Sequence, residues 1–365
     1  MSRSRVYLDH NASAPLLPAA RREMEGLLDA FGNPSAQHTE GRRLATVIDT
    51  ARSRVADLCG AARGQVVFTG SASEAITQAL RGGVSGLGVG RLIVSDGEHR
   101  AVRAAAELCG VPVVRIGLGR DGRIDLNGLK EHLARGNADD KTLVCVHWVN
   151  NETGVVQPIA EICDMVRDSG HLLFVDGVQG AGKLDLSFER SGIHMMAISA
   201  HKLGGPVGVG ALLVRESCNG AVLIPGGGQE QGRRGGTRSA MLLAGFGAAA
   251  AACRQAFDME RLGGLIGEFE AGLRAMCADL VVFGKLAERL GNVSLFALPG
   301  LQNETALIGL DLKGIAVSAG SACSSGKRAQ SAVLAGMGVP EKLAQCALRV
   351  SVGWNSTRDD IHAVL

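Results

Sequence analysis

Met195-Met196-Ala197-Ile198-Ser199-Ala200-His201-Lys202-Leu203-Gly204-Gly205-Pro206 is an apolar strand pattern that ends in a small polar residue and runs into a glycine-rich turn holding a lysine. A lysine just past a buried strand is poorly solvated. Poor solvation lowers its pKa, which suits an amine that must form a Schiff base. A surface lysine in a turn fits the same residues equally well, so the rest of the chain must decide.

On either side of this stretch, short apolar runs alternate with helical patterns. Strands are expected at 65–68, 91–95, 111–116, 142–149, 171–175, 195–199 and 210–214, with amphipathic helices at 35–59, 73–80, 101–108 and 159–168. Such alternation predicts an α/β fold with a mostly parallel central sheet flanked by helices. Ligands of such sheets bind at the carboxyl ends of the strands. From about Ala251 the pattern changes to helix (260–280), strand (292–297), helix (304–312), a loop (318–326), a further helix and a last strand (347–352). That predicts a large domain over 12–250 and a smaller α+β domain over 1–11 and 251–365.

Composition narrows the functional classes. The 365 residues are 46% hydrophobic and 20% charged, with 51 glycines and 3% aromatics, a mixture suited to tight strand–helix turns and close backbone approach. A net charge of +2 gives no reason to expect nucleic-acid binding. The N-terminus has no apolar secretory core, and the Ala/Gly run over 240–252 is too short to cross a bilayer. A soluble cytoplasmic protein is expected. The nine cysteines are scattered without a Cys-x-x-Cys pair, so neither a metal site nor a disulfide framework is indicated. Gly86-Leu87-Gly88-Val89-Gly90 precedes a strand instead of following one, so it reads as a helix-to-strand turn and not as a nicotinamide-dinucleotide loop.

Four further segments lie after successive strands, on the same sheet edge as Lys202. Asp176 ends the strand at 171–175, where a carboxylate can pair with a pyridinium nitrogen or simply cap a helix. Val67-Phe68-Thr69-Gly70-Ser71-Ala72-Ser73-Glu74 runs from strand into helix, offering backbone N–H groups to a phosphate; Ser71-x-x-Glu74 also fits a plain capping box. His99 can stack on a ring or serve structure. Asn150-Asn151-Glu152-Thr153-Gly154 can present an amide to a phenolic oxygen or form an ordinary turn. Each is weak alone, and the set is strong together.

These residues resemble the cysteine desulfurases of the NifS/IscS type, class-V aminotransferase-like enzymes of pyridoxal-phosphate fold type I, whose archetype is aspartate aminotransferase. The resemblance spans nearly the whole chain, from Tyr7-Leu8-Asp9-His10-Asn11-Ala12-Ser13-Ala14-Pro15 and Phe31-Gly32-Asn33-Pro34-Ser35 through the segments above. It continues with the glycine-rich stretch ending at Thr237, then Gly320-Ser321-Ala322-Cys323-Ser324-Ser325-Gly326 and Leu348-Arg349-Val350-Ser351. It implies that pyridoxal 5'-phosphate is bound to Lys202, with Asp176 on the pyridine nitrogen and His99 stacked on the ring. Asn151 and Gln179 would contact the phenolic side, and Ala72, Ser73, Ser199 and His201 the phosphate. Thr237 would reach the phosphate of the neighbouring subunit of a homodimer. Arg349 would bind the carboxylate of L-cysteine, with Asn11 near the substrate. The order Gly70-Ser71 departs from the family's usual Ser-Gly at the phosphate turn.

Cys323 stands apart from Cys59, Cys145 and Cys163, which sit in apolar runs and read as small buried hydrophobes. Its Gly/Ser/Ala flanks suit an accessible thiol, which alone fits a nucleophile or an idle cysteine. The resemblance implies that it accepts sulfur as a persulfide, releases L-alanine as co-product, and hands the sulfur to an iron–sulfur scaffold or a tRNA-thiolating enzyme. Rival readings are another class-V enzyme, such as an aminotransferase, a kynureninase-like lyase or a selenocysteine lyase, and a catalytically idle dimeric binding module.

Overall fold

The strands of the computed structural model, in chain order, are β1 (Val6–Tyr7), β2 (Val66–Thr69), β3 (Val89–Ser95), β4 (Val113–Ile116), β5 (Lys141–His147), β6 (Leu172–Asp176), β7 (Met195–Ser199), β8 (Gly210–Val214), β9 (Val281–Val282), β10 (Val293–Ala297), β11 (Ile315–Ala316), β12 (Ser318–Ala319) and β13 (Ala347–Ser351). Residues 5–135, 141–320 and 331–365 are described. Seven strands form the central sheet in the order β2-β8-β7-β6-β5-β3-β4. Among them β8 alone runs opposite to the other six, so the carboxyl ends of β2, β3, β5, β6 and β7 share one edge. Val144 and Val146 of β5 pack into one hydrophobic layer while Leu143 and Cys145 pack into the other. Burial on both faces is why this segment reads as an unbroken apolar run.

Tertiary packing extends some expected elements and adds others. The helix expected over 73–80 runs Ala72–Leu87. Gly82, Gly83 and Gly86 disfavour a helix intrinsically, yet close packing requires two of them. A Cβ on Gly86 would stand 1.8 Å from the Gly220 carbonyl oxygen, and one on Gly82 2.8 Å from the Ala221 carbonyl carbon. Gly88 then ends the helix at φ 70° and β3 starts at Val89, so this is the helix-to-strand turn expected. Helices Pro18–Glu25 and Leu126–Ala134 lie outside the expected set. The 240–252 run belongs to helix Ala240–Ala256, packed so closely on helix Thr39–Cys59 that a Gly247 Cβ would lie 2.6 Å from Ala51 Cα. No single described helix is long and apolar enough to cross a membrane.

The remaining strands form an antiparallel sheet, β12-β13-β10-β9, and a parallel pair, β1-β11. A bridge between Asp9 and Ser351 ties the N-terminal segment to β13. That segment then reaches the central sheet, where Ala14 N–H donates to the His201 carbonyl at 2.9 Å and Leu17 N–H to that of Gly204 at 2.8 Å.

A buried ionic cluster fixes the loop that precedes helix Ala240–Ala256. Glu230 and Gln231 adopt φ of 49° and 60°, a left-handed conformation that costs about 1–3 kcal/mol for residues with a side chain. The Glu230 carboxylate accepts two bonds from Arg52 (2.6 and 2.7 Å), one from Arg238 (3.0 Å) and one from Phe68 N–H (2.8 Å). Burial opposes the charge, but these donors together hold the carboxyl below its ordinary range. Arg52→Met should therefore lower the unfolding free energy by about 3 kcal/mol, because it strands much of a buried charge. Urea unfolding checks this; a loss within experimental error would mean that Arg238 and the Phe68 amide suffice.

Candidate functional site

The carboxyl edge of the central sheet gathers Asp176, His99, Lys202 and His201 of the ionisable groups that the sequence singles out. Asp176, the last residue of β6, is 7% exposed, and its Oδ1 accepts from Val178 N–H at 3.0 Å. Its register partner on β5 is His147. His147 donates its backbone N–H to Glu98 Oε1 at 2.5 Å, and its ring Nδ1 lies 2.7 Å from the same oxygen. Burial pushes the Glu98 carboxyl up despite His147. This pair anchors the turn that presents His99. The His99 ring accepts from Ala101 N–H at 3.1 Å through Nδ1, capping helix Arg100–Glu107, so a neutral ring carries its proton on Nε2. Burial lowers its pKa; Asp176 opposes the shift, and Lys202 and Arg103 reinforce it. One imidazole thus feels both the carboxylate and the lysine that the sequence pairs.

Lys202 is held by the N-terminal segment. Its Nζ donates to the Asn11 carbonyl and, at 2.8 Å, to that of Ala12. The Asn11 carbonyl also accepts from Gln179 Nε2 at 3.0 Å. Asn11 Nδ2 donates to the Asn151 carbonyl at 3.2 Å, and Arg349 Nη1 donates to that same oxygen at 3.0 Å. Lys202, Gln179, Asn11, Asn151 and Arg349 therefore belong to one hydrogen-bonded chain.

The phosphate-type turn lies between β2 and its helix. Ser71 is extended (φ −172°) and its hydroxyl accepts from Glu74 N–H at 3.1 Å, so Ala72 opens the helix with the exposed Ser73 next. The capping box expected here is half formed. Glu74 accepts instead from Gly70 N–H (2.8 Å) and from Arg234 Nε (2.7 Å), because the guanidinium draws the carboxylate away. Ser199 ends β7 opposite Gly210 of β8, which in turn faces Thr69 of β2. A Cβ on Gly210 would lie 2.7 Å from the Ser71 carbonyl carbon and 2.8 Å from Ala72 N, so glycine lets the turn settle against the sheet. His201 Nδ1 is 3.3 Å from Ser13 Oγ, and burial followed by Lys202 pushes the ring down to about 4. Thr237 is exposed, in the loop that Glu230 and Arg238 anchor.

Arg349, 3% exposed on β13, donates through Nη2 to Asp9 at 2.7 Å and through Nη1 to Asn151, while its buried Nε has no partner among the described residues. Asp9 also accepts from Ser318 at 2.6 Å. Neither Asp9 nor Glu152 stands out as a site residue in the sequence, because their partners are distant: Arg349 lies 340 positions from Asp9, and Ser331 lies 179 from Glu152. Cys323 lies outside the described residues. Burial pushes the thiols of Cys59, Cys145 and Cys163 up, to about 12 for Cys59 and about 11 for Cys163, which suits inert packing.

Glu152 is buried against Arg349's site and accepts from Ser331 at 2.5 Å. Burial raises its pKa from 4.5 to about 7, with Ser331 and Arg349 opposing. A raised carboxyl favours the neutral folded form, so its stability contribution is complete below pH 4.5 and fades as pH climbs to about 7. Across that window wild type should lose on the order of 2 kcal/mol that Glu152→Gln does not lose. Denaturant unfolding at successive pH values measures the difference, and parallel profiles would refute the assignment.

The chain matches the model of the class-V aminotransferase family over residues 6–364. It is 37% identical to a cysteine desulfurase of Cereibacter sphaeroides, covering 99% of this chain and 94% of that one. It is 33% identical to the cysteine desulfurase IscS of Dictyoglomus turgidum, covering 99% and 92%. The crystal structure of a NifS-like protein from Rickettsia africae superposes with a TM-score of 0.89 at 30% identity, covering 98% of this chain and 97% of that one. The fold, the ordered motifs and these likenesses together place the chain in the class-V aminotransferase family of pyridoxal-phosphate-dependent enzymes, in its NifS/IscS-type cysteine desulfurase branch.

Proposed function

We propose that the chain takes sulfur from L-cysteine, with pyridoxal 5'-phosphate held on Lys202, Cys323 accepting the sulfur as a persulfide and L-alanine leaving. The observation that carries this reading is the chain of hydrogen bonds from Lys202 through Asn11 and Asn151 to Arg349. It sets an amine and a carboxylate-binding guanidinium at the two ends of one rigid bridge, as an amino-acid substrate requires.

The residues fit the cofactor. The Gly210 cradle and the helix opening at Ala72 suit a phosphate, with Ser73, Ser199 and His201 as its further holders. The buried Asp176 suits a protonated ring nitrogen, and the unpartnered Nε edge of Arg349 suits a carboxylate. When bound, the cofactor supplies an electron-poor ring that stabilises charge developing at the substrate's α-carbon. Lys202 Nζ moves the α-proton as general base, and Arg349 with Asn11 orients the substrate. His99 covers the ring and assists proton transfer near the substrate thiol. Cys323, as thiolate, takes the sulfur: an S–S bond forms as the substrate's C–S bond breaks, and the bonding pair stays with the β-carbon, which takes up a proton on the way to L-alanine.

We further infer a cytoplasmic homodimer in which the exposed Thr237 completes the neighbouring phosphate site. The persulfide sulfur then passes to an acceptor protein, such as an iron–sulfur scaffold or a tRNA-thiolating enzyme.

Cys323→Ser should abolish sulfide release from cysteine while the visible absorbance of bound cofactor persists; undiminished sulfide would remove Cys323 as the sulfur acceptor, and a wild type that releases none would favour another class-V activity. Arg349→Lys should keep that absorbance and raise KM for cysteine at least about tenfold, since a point charge replaces a planar fork. Steady-state kinetics measures this, and an unchanged KM would move the carboxylate site elsewhere.

A further inference from the structure

Lys183 is a buried lysine that the mechanism above does not use. It is 9% exposed, in the turn that follows β6. Its Nζ donates to Gln179 Oε1 at 3.5 Å and lies 5.7 Å from the centre of the Phe257 ring. The ionisable groups acting on it are Lys202 and Cys253, and it acts in turn on His10 of the N-terminal segment. Burial, then Lys202, pushes Lys183 down to about 7. On its outer side a cavity is lined by Asp185, Arg254 and Asp258, where Arg254 pairs with Asp185. A buried ammonium beside another lysine is costly to keep.

What it does for Gln179 follows from donor and acceptor chemistry. Below about pH 7 the ammonium only donates and so faces the carboxamide oxygen and not its NH2 group, and above it the neutral amine keeps an N–H for the same oxygen. With Oε1 turned to Lys183, the NH2 group faces the site. One N–H reaches the Asn11 carbonyl at 3.0 Å, and the second meets no acceptor among the described residues, which leaves it for a ligand.

We propose that Lys183 is a positioning residue, which locks the Gln179 carboxamide with its NH2 group toward the phenolic oxygen of the bound cofactor. This rests on the function proposed above. A donor on that oxygen draws electron density from it and weakens its hold on the proton of the lysine–cofactor linkage. Losing the donor lets the linkage keep its proton to higher pH.

The test is a spectrophotometric pH titration of the visible band in holoenzyme. Lys183→Met, with Lys183→Leu run in parallel as a second variant without a donor, should raise the midpoint by about one pH unit. Lys183→Arg, which keeps the donor, should stay near wild type. In a Gln179→Leu background, Lys183→Met should add less than half of its own shift, because the two act in series. An unmoved midpoint in the neutral variants, an arginine variant displaced as far as methionine, or fully additive shifts would each overturn the proposal. A wild-type protein that takes up pyridoxal phosphate without any visible band would instead sink the function on which it rests.

Discussion

Two backbone carbonyls, those of Asn11 and Ala12, carry the arrangement of the site. Both accept from Lys202, and the Asn11 carbonyl accepts from Gln179 as well. Backbone oxygens can perform this service because the segment bearing them is pinned at both ends. The bridge from Asp9 to Ser351 and the Asn11 N–H bond to Ser351 Oγ (2.9 Å) hold one end to β13. The Ala14 and Leu17 amides hold the other to the turn after β7. A polar network in so dry a place stabilises one geometry only when its members are satisfied. Asn292, donating to Asn11 Oδ1 at 3.1 Å and to the Val352 carbonyl at 3.2 Å, links that network to β10's approach.

The same N-terminal segment governs the arginine. Asp9 holds one edge of the Arg349 guanidinium and Asn151 supports another, so the group is aimed before any substrate arrives. Preorganisation of this kind spares a substrate the cost of ordering the side chain that binds it. Lys202 and Arg349 come from segments nearly 150 positions apart, yet both lean on residues 9–12. The spacing between them is thus a property of one short stretch and not of flexible loops.

Electrostatic contrast separates reacting groups from packing groups. The thiols of Cys59 and Cys163 are buried where a thiolate is strongly disfavoured. Along the sheet edge, by contrast, His99 balances Asp176 against Lys202. Glu98 and His147 sit behind that edge, and their pairing positions the turn without exposing charge to the site.

The strand-then-lysine pattern at 195–202, the acid ending β6 and the small-residue turn after β2 were legible because local patterns encode them: apolar runs mark buried strands, and polar residues cluster where strands end. Helix Ala72–Leu87 was read too short because its glycines are bad helix formers alone; their need appears only when the Gly220–Val222 segment lies against them. The roles of Asp9, Glu152 and Lys183 were not legible either. Each depends on a partner that is distant in sequence or, for Lys183, on burial that a Gly-Lys turn does not announce. The amino-acid order by itself determined the sheet, its ligand-bearing edge and the chemical types of the principal groups. The tertiary structure alone decided which carbonyls hold the lysine and which carboxylate holds the arginine, because hydrogen bonds depend on proximity in space, which folding creates and local sequence does not contain.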